Sequence, residues 1–187
     1  MERRTLLKTL AAAPLLVPTL ARAQAKAPAD PKAVEVLQRD WKLLLATGTT
    51  VPLPTEPLKR SNEEWKKVLT PQQYNVLREE GTERPGTSPL NGEKRPGVFV
   101  CAGCGLPLFT SAMKFDSGTG WPSFFTLIPG VFGIKKDFKL IFPRTEYHCI
   151  RCGGHHCHLF DDGPKPTGLR YCNNGVALRF VPKTGAA

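Results

Sequence analysis

"TEYHCIRCGGHHCHLF", residues 145–160, is the stretch on which the reading of the fold turns. Its first six residues, Thr145–Ile150, read as a short strand. The strand runs into Cys149-Ile-Arg-Cys152, a spacing that lets both sulfurs face one ion. The same device stands upstream in Cys101-Ala-Gly-Cys104, where small Ala102 and Gly103 permit the tight turn. Two such knuckles supply four soft ligands in a closed tetrahedron, which suits one structural Zn²⁺. Disulfides are the competing use of six cysteines. A Cys-x-x-Cys disulfide, however, is strained and belongs more often to catalysis than to structure.

Outward from this stretch the chain punctuates itself with Gly and Pro. Val98–Cys101, Phe138–Phe142 and Ala177–Phe180 are further strand-like pieces, so the C-terminal half reads as mostly antiparallel sheet. Short helices precede it. Ser61 with Glu64 forms a capping box before Trp65, Val68 and Leu69, while Thr70 caps a second helix with Pro71 at its first position and Gly81 just beyond its end. Val34–Leu45 has helical spacing as well, whereas the prolines of "VPLPTEPL", residues 51–58, exclude a helix there.

The N-terminal segment stands apart from the domain. Residues 1–23 pair Arg3 and Arg4 with an apolar run, Leu10–Leu20, and end in Ala21-Arg22-Ala23, the pattern of a twin-arginine export signal. The run is too short for a permanent membrane anchor and carries Pro14 and Pro18. Export of an already folded protein to the periplasm also suits a thiolate metal site loaded in a reducing cytosol. Residues 24–60 form an N-terminal extension, and 61–183 the domain. Of the formal net charge of +10, the signal holds +3 (Arg3, Arg4, Lys8 and Arg22 against Glu2), which leaves +7 on the remainder. No basic run or Arg–aromatic interleaving accompanies it, which argues against nucleic-acid binding.

Two cysteines remain, Cys157 and Cys172. Cys172 lies in "GLRYCNNGVALRF", beside the turn signal Asn174-Gly175 and two residues after Arg170, a setting that can expose a thiol and lower its pKa. A small buried hydrophobe is the plainer alternative. His155, His156 and His158 follow directly on the second knuckle; His156 and His158 share a side if the segment is extended. Imidazoles near a thiol serve thiolate activation and proton delivery, although a Cys₃His metal site is another use.

Several motifs together resemble the B-type methionine sulfoxide reductases, the peptide-methionine (R)-S-oxide reductases. They are "LTPQQYNVLREEGTERPGTSPL", "GVFVCAGCGLPLF", "KFDSGTGWPSF" and "RTEYHCIRCGGHHCHLFDDGPKPTGLRYCNNGVALRF", from about Trp65 to Phe180. The resemblance implies a mainly β (α+β) fold of two antiparallel sheets with short N-terminal helices. It places zinc on Cys101, Cys104, Cys149 and Cys152, opposite the active site. It makes Cys172 the nucleophile and gives active-site roles to Trp121, His155, His158, Asp162, Arg170 and Asn174, with Phe160 shaping the substrate pocket. It implies reduction of methionine (R)-sulfoxide in proteins, and in the free amino acid, through a sulfenic acid at Cys172. Its partners would be oxidised proteins and a thioredoxin-like dithiol, acting on a monomer. A non-catalytic zinc-ribbon module is the alternative from another class, but it leaves Cys172, the histidines and Trp121 without purpose.

This chain departs from the pattern. Thr119 stands where many members carry a resolving cysteine, and Cys157 stands where glycine is usual. Cys157 is therefore the candidate resolving thiol, with direct attack by the external reductant as the other route. His156 and Asn173 replace apolar residues, Gly86 an aromatic one and Gly175 a serine.

Overall fold

The computed structural model describes residues 30–46, 48–138 and 143–183. The export-signal reading concerns residues outside that set. Within it, no helix is long and apolar enough to cross a membrane.

Helix α1 spans Pro31–Arg39, with the Asp30 carboxylate capping its first turn through Lys32 N–H. The helical pattern expected across Val34–Leu45 breaks at Asp40, whose backbone leaves the helix and whose carboxylate is held by Arg39; a separate tight turn follows over Trp41–Leu44. Gln38 of α1 donates to Thr126 Oγ1 at 2.7 Å, and Leu37 and Trp41 pack on the core. Helices α2 (Asn62–Val68) and α3 (Pro71–Glu79) begin at the expected caps, Ser61 in a capping box with Glu64 and Thr70 before Pro71; Gln73 makes the Thr70 cap a second capping box, which the sequence reading did not include. The left-handed residue ending α3 is Glu80, at φ 57°, not Gly81. A Cβ at Gly81 would lie 2.0 Å from Oδ1 of the exposed Asn75 side chain, which would have to swing aside.

Beyond the helices the chain folds into antiparallel strands. These are β1 (Gly97–Cys101), β2 (Pro107–Thr110), β3 (Lys114–Phe115), β4 (Ser123–Phe124), β5 (Phe132–Asp137), β6 (Arg144–Cys149), β7 (His155–Phe160), β8 (Arg170–Cys172) and β9 (Leu178–Pro182). They form a three-stranded sheet, β2-β1-β9, and a six-stranded sheet, β3-β4-β8-β7-β6-β5. Phe109 of β2 stacks on Phe124 of β4 at 4.0 Å between ring centres, and Phe99 of β1 meets Phe124 edge-on at 5.1 Å, so aromatic rings join the two sheets.

One expected strand, Phe138–Phe142, falls almost wholly on residues 139–142, which lie outside the described set; the strand that is described, β5, ends at Asp137, and Phe138 after it is 73% exposed. β5 is the outer strand of its sheet and shows Ile134, Lys135 and Lys136 to solvent. Lysines on an edge protect it from pairing with another chain, and they also disguise it as a loop.

The helices cover the knuckle end. Trp65 of α2 is buried between two guanidinium groups, Arg60 and Arg78, each 5.1 Å from its ring, and Arg78 also donates to Cys152 O at 2.9 Å.

Candidate active site

The two knuckles are built alike. In each, the N–H of the glycine four residues on (Gly105, Gly153) donates to the first cysteine's carbonyl at 2.8 Å, and that glycine has positive φ, 73° or 68°. Only glycine takes that conformation without strain. The knuckles leave from different sheets, one from β1 and one from β6, and their sulfurs converge. Cys101 and Cys152 are 3.7 Å apart, Cys104 and Cys149 3.5 Å, and all four sulfurs lie within 4.8 Å of one another. Four ligands about 2.3 Å from a tetrahedral ion sit about 3.8 Å from each other, so this cluster can hold a metal ion. All six cysteines are unpaired, which sets aside the disulfide reading.

The other two thiols lie on β7 and β8. Leu159 pairs with Tyr171 and Phe160 with Arg170; the same register continues in the Asn174 N–H to His156 O bond at 3.1 Å. It brings His158 across from Cys172 and Cys157 across from Asn173. The strongest influence on each of Cys157 and Cys172 is the other's sulfur. Cys157 is thereby pushed up, with burial adding to the effect. Cys172 is pulled down by Cys157 and then, against burial, by Arg170. Of the two, Cys172 is the thiol that ionises more readily. Cys172 is only 4% exposed, with the charges of Arg170 and Asp162 near enough to act on it.

Arg170 is buried and fixed. It donates Nε and Nη2 to Asp162 at 2.7 and 2.8 Å, and stacks over Phe160. Asp162, Phe160 and Arg170 are thus one unit behind the thiol.

The histidines are sorted by a feature the sequence does not announce. Between Tyr147 and His148 the β6–β7 register shifts, so His148 faces His155 and Tyr147 faces Cys157. This bulge breaks simple alternation. His155 and His158, not His156 and His158, come to one side, with ring centres 5.7 Å apart. His158 Nε2 is 2.7 Å from Asp137 Oδ2, and His155 Nδ1 is 3.1 Å from Glu146 Oε1. Burial lowers the pKa of both, opposed in each case by the neighbouring carboxylate. Neutral imidazoles result at neutral pH. His156 turns the other way: fully buried, it contacts Asn173 Oδ1 at 3.0 Å and sits edge-on to Phe132, and burial pushes it down to about 4. None of these histidines joins the sulfur cluster.

Asn174 and Trp121 are placed by an anchor that sequence reasoning missed. Buried Glu83 donates its N–H to Asn174 Oδ1 at 2.9 Å, accepts Trp121 Nε1–H on its carbonyl at 3.1 Å, and takes the N–H of Gly175 and Val176 on its carboxylate. Asn174 Nδ2 meanwhile donates to His156 O, so the amide links two segments of backbone. The tight turn expected at Asn174-Gly175 is a single helical turn, Gly175–Ala177, with ordinary negative φ at Asn174. Gly175 is needed because a Cβ would lie 1.9 Å from Ser88 Oγ. Trp121 leads into β4, where Ser123 pairs with Cys172, and it lines a cavity of about 300 Å³ with Lys114 and Asp116. Thr119 bonds Ser117 at 2.8 Å. Other partners not evident from sequence are Tyr147, whose hydroxyl donates to the Cys172 carbonyl, and the two carboxylates Asp137 and Glu146. Glu146 and Tyr147 lie on the strand expected over Thr145–Ile150, whereas Asp137 lies on β5, which the sequence did not indicate.

The arrangement is a buried, readily ionised thiol with a neighbouring thiol, a guanidinium and two neutral imidazoles, none of them part of the sulfur cluster. Comparison with known proteins gives a concordant result. The model of the SelR domain matches residues 69–182. A peptide methionine sulfoxide reductase MsrB of Methanosarcina barkeri is 53% identical over 124 residues, covering 66% of this chain and 87% of the relative. Its counterpart in Leptospira interrogans is 49% identical over 124 residues, covering 66% and 95%. That of Agrobacterium fabrum is 47% identical over 131 residues, covering 70% and 97%.

Proposed function

The chain belongs to the SelR-domain family of peptide methionine sulfoxide reductases, and from that membership we propose the chemistry its site performs. The enzyme reduces methionine sulfoxide to methionine. The R epimer, in oxidised proteins and in the free amino acid, is the proposed substrate. One observation carries the reading: Cys172, its pKa lowered first by Cys157 and then by Arg170, lies on β8, the strand paired with the one that carries His158.

In the proposed cycle the Cys172 thiolate attacks the sulfoxide sulfur, and His158, supported by His155, protonates the oxygen as its bond to that sulfur breaks. The substrate sulfur gains two electrons and leaves as the thioether. Cys172 loses two and keeps the oxygen as a sulfenic acid. The Cys157 thiol then attacks that acid, an S–S bond forms and water leaves. A thioredoxin-like dithiol reduces the disulfide, becoming oxidised itself. Trp121 supplies an aromatic wall for the substrate's methyl group. The assay is turnover of separated R and S epimers with dithiothreitol; equal rates for both, or full activity in Cys172→Ser, overturns the reading.

The donor set of the sulfur cluster fits zinc, which would be held by Cys101, Cys104, Cys149 and Cys152 and would supply cohesion, not chemistry. The enzyme is proposed to work as a monomer in the periplasm, exported by the twin-arginine signal at residues 1–23, with neither a membrane anchor nor nucleic acid as partner. Fractionation of cells expressing the full chain tests this: periplasmic activity should vanish when Arg3 and Arg4 are both replaced by lysine.

A further inference from the structure

The His158 ring touches something different at each nitrogen. Nε2 lies 2.7 Å from Asp137 Oδ2, and Nδ1 lies 3.7 Å from Cys157 Sγ, on the thiol side. The same Asp137 oxygen also accepts Arg144 Nη2 at 2.7 Å. A carboxylate oxygen that already accepts from a guanidinium has no proton to offer an imidazole, so the ring's proton belongs on Nε2. Asp137 and His158 are both buried, and Asp137 sits at the end of β5, where its register with Arg144 of β6 is fixed by pairing.

We propose that Asp137 is a positioning residue for the reduction: it holds His158 in the Nε2–H tautomer and makes Nδ1 the atom that handles the reaction's proton. The proposal rests on the reading of His158 as proton donor. In the first half-reaction Nδ1 takes the proton released as the Cys172 thiol ionises, and returns it to the sulfoxide oxygen when the S–O bond breaks. Nε2–H stays on Asp137 throughout, and the transient imidazolium lies against a carboxylate already oriented for it. Thiol plus sulfoxide gives sulfenic acid plus thioether, with no outside proton. Sequence reasoning had no access to this residue, because Asp137 falls 21 positions before its imidazole.

The test begins with the unmodified enzyme. ¹⁵N NMR of the ring nitrogens, assigned with His158→Gln, should show a protonated Nε2 and a bare Nδ1 at neutral pH; the opposite tautomer overturns the proposal. In Asp137→Asn, kcat should fall roughly a hundredfold with KM within about threefold of the parent, as expected for loss of an orienting carboxylate. An unchanged kcat overturns it. If that variant does not fold, the NMR result on the parent enzyme decides. Full activity in His158→Gln removes the underlying role of the histidine. Loss there, with kcat intact in Asp137→Asn, removes the role of Asp137 alone.

Discussion

Arg170 donates two parallel hydrogen bonds to Asp162, at 2.7 and 2.8 Å, while its guanidinium lies 4.2 Å above the ring of Phe160. A guanidinium held by a fork and a ring cannot swing away from the thiol two residues along its own strand. Replacing it, in Arg170→Met, removes the cation that favours the Cys172 thiolate. The thiol's pKa must then rise, so the pH profile of iodoacetamide labelling shifts to higher pH. At neutral pH, kcat/KM falls by about tenfold. A labelling profile that does not move, or moves to lower pH, refutes the assignment.

Cys157→Ser separates reduction of the substrate from recycling of the enzyme. Such a variant should still release one methionine per active site, because Cys172 alone carries out the first step. Steady-state turnover with a thioredoxin-type reductant should fall by at least roughly tenfold, since an intramolecular thiol outcompetes an external one. Peptide mapping of the parent enzyme after one turnover should show a 157–172 bridge.

Glu83 joins the Trp121 loop to the turn after Cys172 through four hydrogen bonds. Glu83→Ala leaves the N–H groups of Gly175 and Val176 without their acceptor. It should lower unfolding free energy by about 2 kcal/mol, the cost of unsatisfied buried donors. Substrate KM should rise more than kcat falls, which steady-state kinetics on the folded variant would show.

His156 gives a stability prediction with a definite sign. Its folded pKa, about 4, is depressed below the ordinary value of 6.5, so the unfolded chain binds the proton more readily. The contribution is complete above pH 6.5 and disappears as pH falls through the window down to 4. Its full size is on the order of 3 kcal/mol. Urea midpoints measured from pH 7 to 4 should therefore slope less steeply in His156→Leu than in the parent. His155 and His158, also lowered by burial, will leave part of the slope in place.

The sulfur cluster predicts that a strong chelator, or Cys104→Ser, will lower the melting temperature before it affects the chemistry at Cys172. The readouts are zinc release, followed with a colorimetric indicator, and the thermal melt. A melt unaffected by complete metal removal contradicts the structural role.

Much of this was legible in the sequence wherever a local rule governs the outcome. Both helix caps and both knuckles depend on residues within a few positions of each other, and they appear where spacing put them. Cys172 and Arg170 were legible as neighbours on one strand. What failed was set by partners far along the chain. The bulge opposite His148 inverted the expected pairing of the histidines, because only the β6–β7 register determines which faces which. Glu83, Asp137 and Glu146 are acidic residues of ordinary appearance until the fold delivers an indole, an imidazole or a backbone N–H to each. Gly175 was read as a turn glycine, but crowding by Ser88 also demands it.

The pairwise convergence of sulfurs from β1 and β6 has one more consequence, for chemical traffic inside the molecule. A catalyst that makes a sulfenic acid in every cycle is endangered by its own spare thiols, since each is a possible wrong partner. With four of the six gathered at the helix-covered end, the sulfenic acid proposed at Cys172 would have a single correspondent, Cys157. On that proposal the cluster is a quarantine as well as a fastening: release those four, and orderly repair would give way to scrambled crosslinks.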